Sequence, residues 1–308
     1  MFNIRARKRV FGSLLAIAAL AVVPAVAPST APAAQAAVPC PVNPGPVGID
    51  GYVADFSGKG VTLCTGWDGE VVRVKVQIID ISAGARLKVS SNSATVMPNP
   101  ADNTFGKRTV PDWATNKGGI QAPGTGLLFS VTNASFFTDT SSAQTPLSLP
   151  VKVNSTAQGR SYGKLLYGSG TGSAVAKKVL RYNSGGGVLQ IASFPTGYNS
   201  TDAQCIGWDS CVVGYDPLID LSGNGNTTNV RTYVGVNAVH GQNASRAFVL
   251  TGSNLRVADA DLILQHFGAV SAMQLDGGGS TAMKSWGGDW LGPLGRPVPT
   301  ILTVTYGN

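Results

Sequence analysis

The residues best equipped for chemistry stand together near the C-terminus, in Met273-Gln274-Leu275-Asp276-Gly277-Gly278-Gly279-Ser280-Thr281. A short apolar run ends in one carboxylate, and three glycines and two hydroxyl side chains follow it. Each glycine costs roughly 0.5–1 kcal/mol of extra conformational entropy on folding relative to alanine. Three in succession imply a backbone that passes close to something. Bare N–H groups, two hydroxyls and an acid together form a cradle suited to a phosphate or a sugar. The same residues also suit a glycine turn closing a hairpin, so the rest of the chain has to decide.

Other chemistries find less support. Gly159-Arg160-Ser161-Tyr162-Gly163 fits the G-x-S-x-G pattern, but a nucleophile elbow needs a buried strand before it and a helix after it. Here the flanks are Asn154-Ser155-Thr156-Ala157-Gln158 and Gly168-Ser169-Gly170, and neither fits. The only histidines are His240, in a predicted turn, and His266, on a predicted amphipathic helix. A conventional glycosidase sets two carboxylates across the scissile bond. The chain holds a single glutamate, Glu70, in a turn before a strand, so an acid/base pair has to be drawn mainly from aspartates. Asp276 is the strongest, because a strand end holds it in a defined place; Asp80, Asp139 and Asp289 are candidate partners. Asn133 lies at the mouth of an apolar strand, and its amide both donates and accepts, which suits sugar hydroxyls. Phe136 and Phe137, just beyond it, read as core packing.

The elements that must position these residues are mostly strands. Residues 71–82 alternate apolar and polar side chains, the pattern of a half-buried strand. Further strands are predicted at 85–90, 126–131, 147–153, 188–194, 231–239, 247–251 and 301–306, and at 269–275, which delivers Asp276. Residues 174–182 are ambiguous between helix and strand. One helix is predicted at about 259–267, with Asp259 as N-cap and Gly268 as its stop. Residues 38–69 read as turn-rich and the Pro/Asn/Asp-rich run 97–113 as a loop. With 39 glycines and only 13% charged residues, the composition favours strands joined by turns. The expected fold is α+β, with strand-rich mixed sheets and few helices, and no internal repeat or domain linker follows the leader.

Residues 1–37 read as a signal peptide. Arg5, Arg7, Lys8 and Arg9 precede an apolar core from Phe11 to Ala27, and Ala34-Gln35-Ala36-Ala37 offers a small-residue cleavage site. No later stretch of eighteen apolar residues exists, so the mature protein is expected to be exported, extracellular and not membrane-spanning. The leader holds four of the 23 basic residues. What remains is 19 basic against 16 acidic side chains, a net charge of +3 with no basic run, which argues against nucleic-acid binding. Cys40, Cys64, Cys205 and Cys211 suggest disulfides in an exported chain. Proximity favours 40–64 and 205–211 among the three formal pairings. No zinc-ligand spacing is present. The oxygen-rich run Asp220-Leu221-Ser222-Gly223-Asn224-Gly225-Asn226 is a candidate calcium loop that does not match an EF-hand, and no other cofactor is indicated.

Taken in order, several landmarks resemble the phosphodiester glycosidase family. The most specific is Leu275-Asp276-Gly277-Gly278-Gly279-Ser280, preceded by a helix and Phe267-Gly268-Ala269. Asn133-Ala134-Ser135-Phe136-Phe137 resembles that family's Asn-Gly-Gly-Phe-Phe, and Thr145-Pro146-Leu147 the turn that follows. Arg231-Thr232 resembles its Arg-Thr, and Arg296-Pro297-Val298-Pro299 its late Arg-Pro. The likeness covers residues 70–308, which it marks as the catalytic domain after an N-terminal segment at 38–69. It departs at Ala134 and Ser135, where the family has glycines; if those glycines let substrate approach the backbone, added side chains would narrow or reshape the pocket.

The resemblance implies hydrolysis of a sugar-1-phosphate diester, such as a GlcNAc-1-phosphodiester or a cell-wall glycopolymer, at the sugar side. A phosphomonoester, with a second pKa of about 6, is a stable leaving anion, so one prominent carboxylate suffices. Asp276 is then base, nucleophile or stabiliser of the oxocarbenium charge. Arg231 and Arg296 are candidates to hold the phosphate bidentately. The N–H groups of Gly277, Gly278 and Gly279, with Ser280 and Thr281, would complete an anion cradle, and Asn133 would bind a sugar hydroxyl. The competing expectation is a secreted glycan-binding module that keeps this cradle without turnover.

Overall fold

A computed structural model describes residues 38–42, 44–92, 94–95, 103–124, 126–138, 140–153, 161–162, 175–183, 187–194, 205, 207–219, 221, 227–289 and 296–307. The expected leader, Asp139, most of the G-x-S-x-G motif and the candidate calcium loop apart from Leu221 lie outside them. Of that motif only Ser161 and Tyr162 are described, in a short strand paired with Val151–Lys152.

The fold is α+β. Nine strands of the main sheet run in the order Gly51–Gly58, Val61–Asp68, Val71–Asp80, Arg246–Leu255, Asn229–Val236, Ser271–Gln274, Ser210–Tyr215, Lys177–Asn183, Val188–Phe194. A second sheet runs Met283–Ser285, Leu128–Asn133, Thr300–Thr305, Arg86–Ser91. Every strand pair among the described residues is antiparallel.

Alternation explains how the layers assemble, because successive strand residues point to opposite faces. Val234, Val236 and Val249 face a core shared with Phe129, Val131, Met283, Ile301 and Val304 of the second sheet. Their neighbours Tyr233, Phe248 and Leu250 face Ala260, Ile263 and Leu264 of the helix Val257–His266. The central strands are thus buried on both faces, which is why they read as nearly continuous apolar runs.

Three expectations change and one ambiguity is resolved. The segment 38–69 is not mainly turns: Gly51–Gly58 and Val61–Asp68 extend the main sheet, and Cys40 is bonded to Cys64. The glycines and polar residues of Gly51–Gly58 hid that strand, because an edge strand need bury only one face, whereas Val61–Asp68 lies inside the sheet and is mostly buried. The run 97–113 is not all loop. Thr109 caps a helix, Val110–Asn116, whose Pro111 occupies the first turn, where a missing N–H costs nothing. Asp259 is not an N-cap but the third helical residue; its carboxylate accepts the Arg256 N–H at 2.9 Å, closing the helix start from within. Gly268, at φ +96°, ends that helix as expected. The ambiguous stretch at 174–182 is the strand Lys177–Asn183. The second disulfide joins Cys205 to Cys211.

Candidate active site

The strand Ser271–Gln274 runs through the middle of the main sheet, where Gln274 pairs with both Tyr233 and Tyr215. Beyond Gln274 the chain leaves the ladder. The Leu275 N–H still bonds Thr232 O in the main sheet at 2.9 Å, but the next N–H, from Asp276, bonds Ala134 O at 3.0 Å, just past the end of a second-sheet strand. Asp276 therefore sits at the junction of the two sheets. The adjoining strand comes unusually close: a side chain at Gly214 would place Cβ 2.1 Å from Gln274 O.

Asn133 locks this junction. Its Nδ2 donates to Asp276 O at 2.6 Å, and its Oδ1 accepts from Thr232 Oγ1 at 2.9 Å and from Ala282 N–H at 3.1 Å. It is fully buried and does not line the cavity. The geometry gives it a positioning role in place of the expected sugar contact. Ala134 and Ser135 do not narrow the pocket either. The Ala134 methyl joins the inter-sheet core, and Ser135 Oγ pairs with Thr300 Oγ1.

After Asp276 the chain makes a tight turn. Ser280 N–H bonds Gly277 O at 3.3 Å and Thr281 N–H bonds Gly278 O at 3.1 Å. Gly278 has φ +59°, a conformation that favours glycine. Gly277 N–H donates to Asp276 Oδ1 at 3.1 Å. The N–H groups of Gly278 and Gly279 have no hydrogen-bond partner among the described residues. Gly279 supports Arg296, since a Cβ there would lie 3.0 Å from Arg296 Nη1. The Arg296 guanidinium also stands 5.5 Å from the centre of the Phe137 ring, a cation–π distance.

These groups surround a cavity of about 370 Å³. Asp276, Gly277, Gly278, Gly279, Arg231 and Arg296 all line it, together with Phe136, Gln274, Leu221, Asn229 and Val230. Arg231 is buried and pinned: Nε donates to Leu255 O at 2.7 Å and Nη2 to Thr227 O at 2.9 Å. Ser280 and Thr281 are buried behind the turn and do not line the cavity; Thr281 Oγ1 has no partner among the described residues. Ser280 Oγ faces Asp276 without reaching ordinary hydrogen-bond geometry.

Burial dominates the electrostatics of Asp276. Loss of hydration pushes its pKa up to about 7, against the opposing pull of the Ser280 hydroxyl, the Arg296 charge and the Gly277 N–H. It is the only carboxylate among the described lining residues. Asp80 is no partner: it closes the opposite end of the sheet, where Val71–Asp80 pairs with Arg246, and it bonds Ser82 and the Ala83 N–H. Asp289 is held at 2.9 Å by Lys284 and lies outside the lining.

Sequence reasoning missed Gln274 and the wall role of Phe136. Gln274 stands two residues before Asp276, a spacing that shares a face along an extended chain, and that was the available signal. Phe136 is core as expected, edge-to-face with Tyr215 at 5.0 Å, but one side of it also borders the cavity. Among the described residues no group of three or more His, Cys, Asp or Glu side chains could hold a metal ion.

No curated protein matches the chain. Among solved structures, the catalytic domain of zebrafish N-acetylglucosamine-1-phosphodiester alpha-N-acetylglucosaminidase, auto-inhibited by its pro-peptide, is 14% identical with a TM-score of 0.43. The match covers 80% of this chain and 82% of that one. A hypothetical protein from Synechocystis is also 14% identical, with a TM-score of 0.42 and 80% of this chain covered. There the chain spans 62% of the relative's length, less than two thirds. The family model described as phosphodiester glycosidase matches residues 126–305, a span that contains Asn133, Arg231, the Asp276 turn and Arg296 alike. By that match, the chain belongs to the phosphodiester glycosidase family.

Proposed function

We propose that the protein is a secreted hydrolase that cleaves a sugar-1-phosphate diester, GlcNAc-1-phosphodiester-like, at the sugar side. One observation carries the reading. A single carboxylate with its pKa near 7 shares a cavity with two arginines and two unpaired backbone N–H groups. The donors suit a phosphate, because guanidinium and oriented N–H groups match its oxygens. The carboxylate suits the anomeric carbon or the water that attacks it.

The bond that breaks joins sugar C1 to the bridging oxygen, which leaves with the phosphate. Water supplies the hydroxyl of the freed sugar and Asp276 accepts the water's proton. If Asp276 instead attacks C1 directly, water hydrolyses the resulting ester in a second step. Either way the leaving oxygen departs on a phosphate that already carries charge, so no second acid is needed to protonate it. Near neutrality a group with a pKa of about 7 is both appreciably ionised and basic enough to take a proton. Arg296, on Phe137 and Gly279, and the remaining donor group of Arg231 would face the phosphate oxygens.

Export is supported by the predicted leader, by two disulfides, and by the lack, among the described residues, of any helix long and apolar enough to cross a membrane. Cell-wall glycopolymers bearing such diesters are then accessible substrates. The binding-module alternative rested on Ala134 and Ser135 filling the site, and both side chains point elsewhere.

The test is release of sugar from a GlcNAc-1-phosphodiester by the purified protein and by Asp276→Asn. The expected loss is about 10²- to 10⁴-fold, the range for a positioned acid–base group. Near-wild-type turnover by a folded Asp276→Asn protein would remove Asp276 from the chemistry.

A further inference from the structure

Gln274 lines the cavity two residues before Asp276, is 5% exposed and, among the described residues, makes one side-chain hydrogen bond, to Tyr233. The Tyr233 hydroxyl, itself buried, lies 3.0 Å from Pro217 O and 3.4 Å from the Gln274 carboxamide atom placed as Oε1. A phenol has one proton to donate, and a backbone carbonyl can only accept. The shorter contact, to Pro217 O, takes that proton. Toward Gln274 the phenol oxygen then offers only lone pairs, and a carboxamide oxygen there would set lone pair against lone pair. Turning the carboxamide by 180° needs no movement of any other atom, since its nitrogen and oxygen are nearly the same size. The amide nitrogen then donates to Tyr233, and the amide oxygen faces the cavity.

We propose that Gln274 is a specificity residue of this cavity, its carboxamide oxygen accepting a hydrogen bond from a hydroxyl or acetamido N–H of the bound sugar. The proposal rests on the sugar-phosphodiester reading of the site. It also completes the chemical layout of the cavity. Arg231, Arg296 and the Gly278 and Gly279 N–H groups offer donors, which suit phosphate. Gln274 and Asp276 offer acceptors, which suit a ring carrying O–H and N–H groups. Tyr233 is a positioning residue that holds the amide in the accepting orientation.

The experiment measures binding of GlcNAc-1-phosphate, glucose-1-phosphate and the monodeoxy analogues of GlcNAc-1-phosphate by calorimetry. Wild type, Gln274→Met and Tyr233→Phe are compared after their melting curves are checked. Wild type is expected to bind one analogue about tenfold more weakly than the parent, the scale of one lost hydrogen bond in a buried site. Gln274→Met should bind the parent as weakly as wild type binds that analogue, and should not distinguish the two. Tyr233→Phe, which frees the amide to turn, should lose two- to threefold of the same discrimination, so the idea stays testable if the methionine variant fails to fold. The proposal is overturned if wild type discriminates none of the analogues, if Gln274→Met keeps the wild-type pattern, or if that variant weakens every ligand equally. Turnover of a GlcNAc-1-phosphodiester is followed in parallel. Absence of turnover with intact Gln274-dependent discrimination sinks the hydrolase reading alone, and turnover with an even loss sinks this one alone.

Discussion

At the scale of single residues, the burial of Asp276 carries a cost in stability. Its pKa is about 7 in the folded protein against an ordinary 3.8. Below pH 4 it is protonated both folded and unfolded, and its titration does not oppose folding. Between pH 4 and pH 7 the unfolded chain gives up the proton first, so stability falls as pH rises, and above about pH 7 the loss levels off. At 1.36 kcal/mol per pKa unit the cost is on the order of a few kcal/mol. Asp276→Asn should therefore melt several degrees above wild type at pH 8 and close to it at pH 4, while being inactive. Equal melting shifts at both pH values would show that the carboxylate is not held out of water. Arg296 works in the opposite sense, since its charge lowers the pKa of Asp276. Removing it in Arg296→Met should move the acidic limb of the kcat/KM profile to higher pH and raise KM for the diester; an unshifted limb would deny the coupling. The placement of Asp276 after a strand and before a tight turn was legible from one carboxylate placed before three glycines. The role of Asn133 was not, because its three partners, Thr232, Asp276 and Ala282, lie on separate stretches of chain that only the fold brings together.

At the scale of elements, period-two alternation identified strands such as Val71–Asp80 but missed the buried strands Val61–Asp68 and Ser210–Tyr215, and glycine at 268 identified the end of the main helix. Strands such as Gly51–Gly58 escaped because their exposed face carries glycine and polar residues, which in sequence look like turns. The small helix Val110–Asn116 escaped because the threonine cap and proline that begin it are also the vocabulary of loops. What joins strand to site is the Asn133 lock. Asn133→Ala would leave the Ala282 N–H, the Asp276 carbonyl and the Thr232 hydroxyl without their partner, each buried group costing about 1–3 kcal/mol when unsatisfied. Denaturant melts should show a loss on the order of 3 kcal/mol or more, and kcat should fall as the Asp276 turn loosens. A drop of less than about 1 kcal/mol would mean that other contacts hold the turn.

At the scale of the whole molecule, composition was enough to expect sheets and few helices. The pairing order was beyond it, because strands as distant in sequence as Val71–Asp80 and Arg246–Leu255 lie side by side, and no local pattern encodes such a match. Cysteine proximity did predict two shorter links. Cys40–Cys64 spans 24 residues and Cys205–Cys211 spans 6, and loop-closure entropy assigns them about 3 and about 2 kcal/mol respectively. Replacing the first pair by serines should lower the melting temperature more than replacing the second. Because neither Cys40 nor Cys64 lines the cavity, turnover at 25 °C should be kept in the first variant. The two consecutive N–H groups at Leu275 and Asp276, one bonded into each sheet, act together as a rivet through two plates. A rivet registers shear: slip between the plates displaces the carboxylate before either plate loses its own ladder. Turnover is thus a gauge of slip, and in rising urea it should fade while the circular dichroism of the strands still stands.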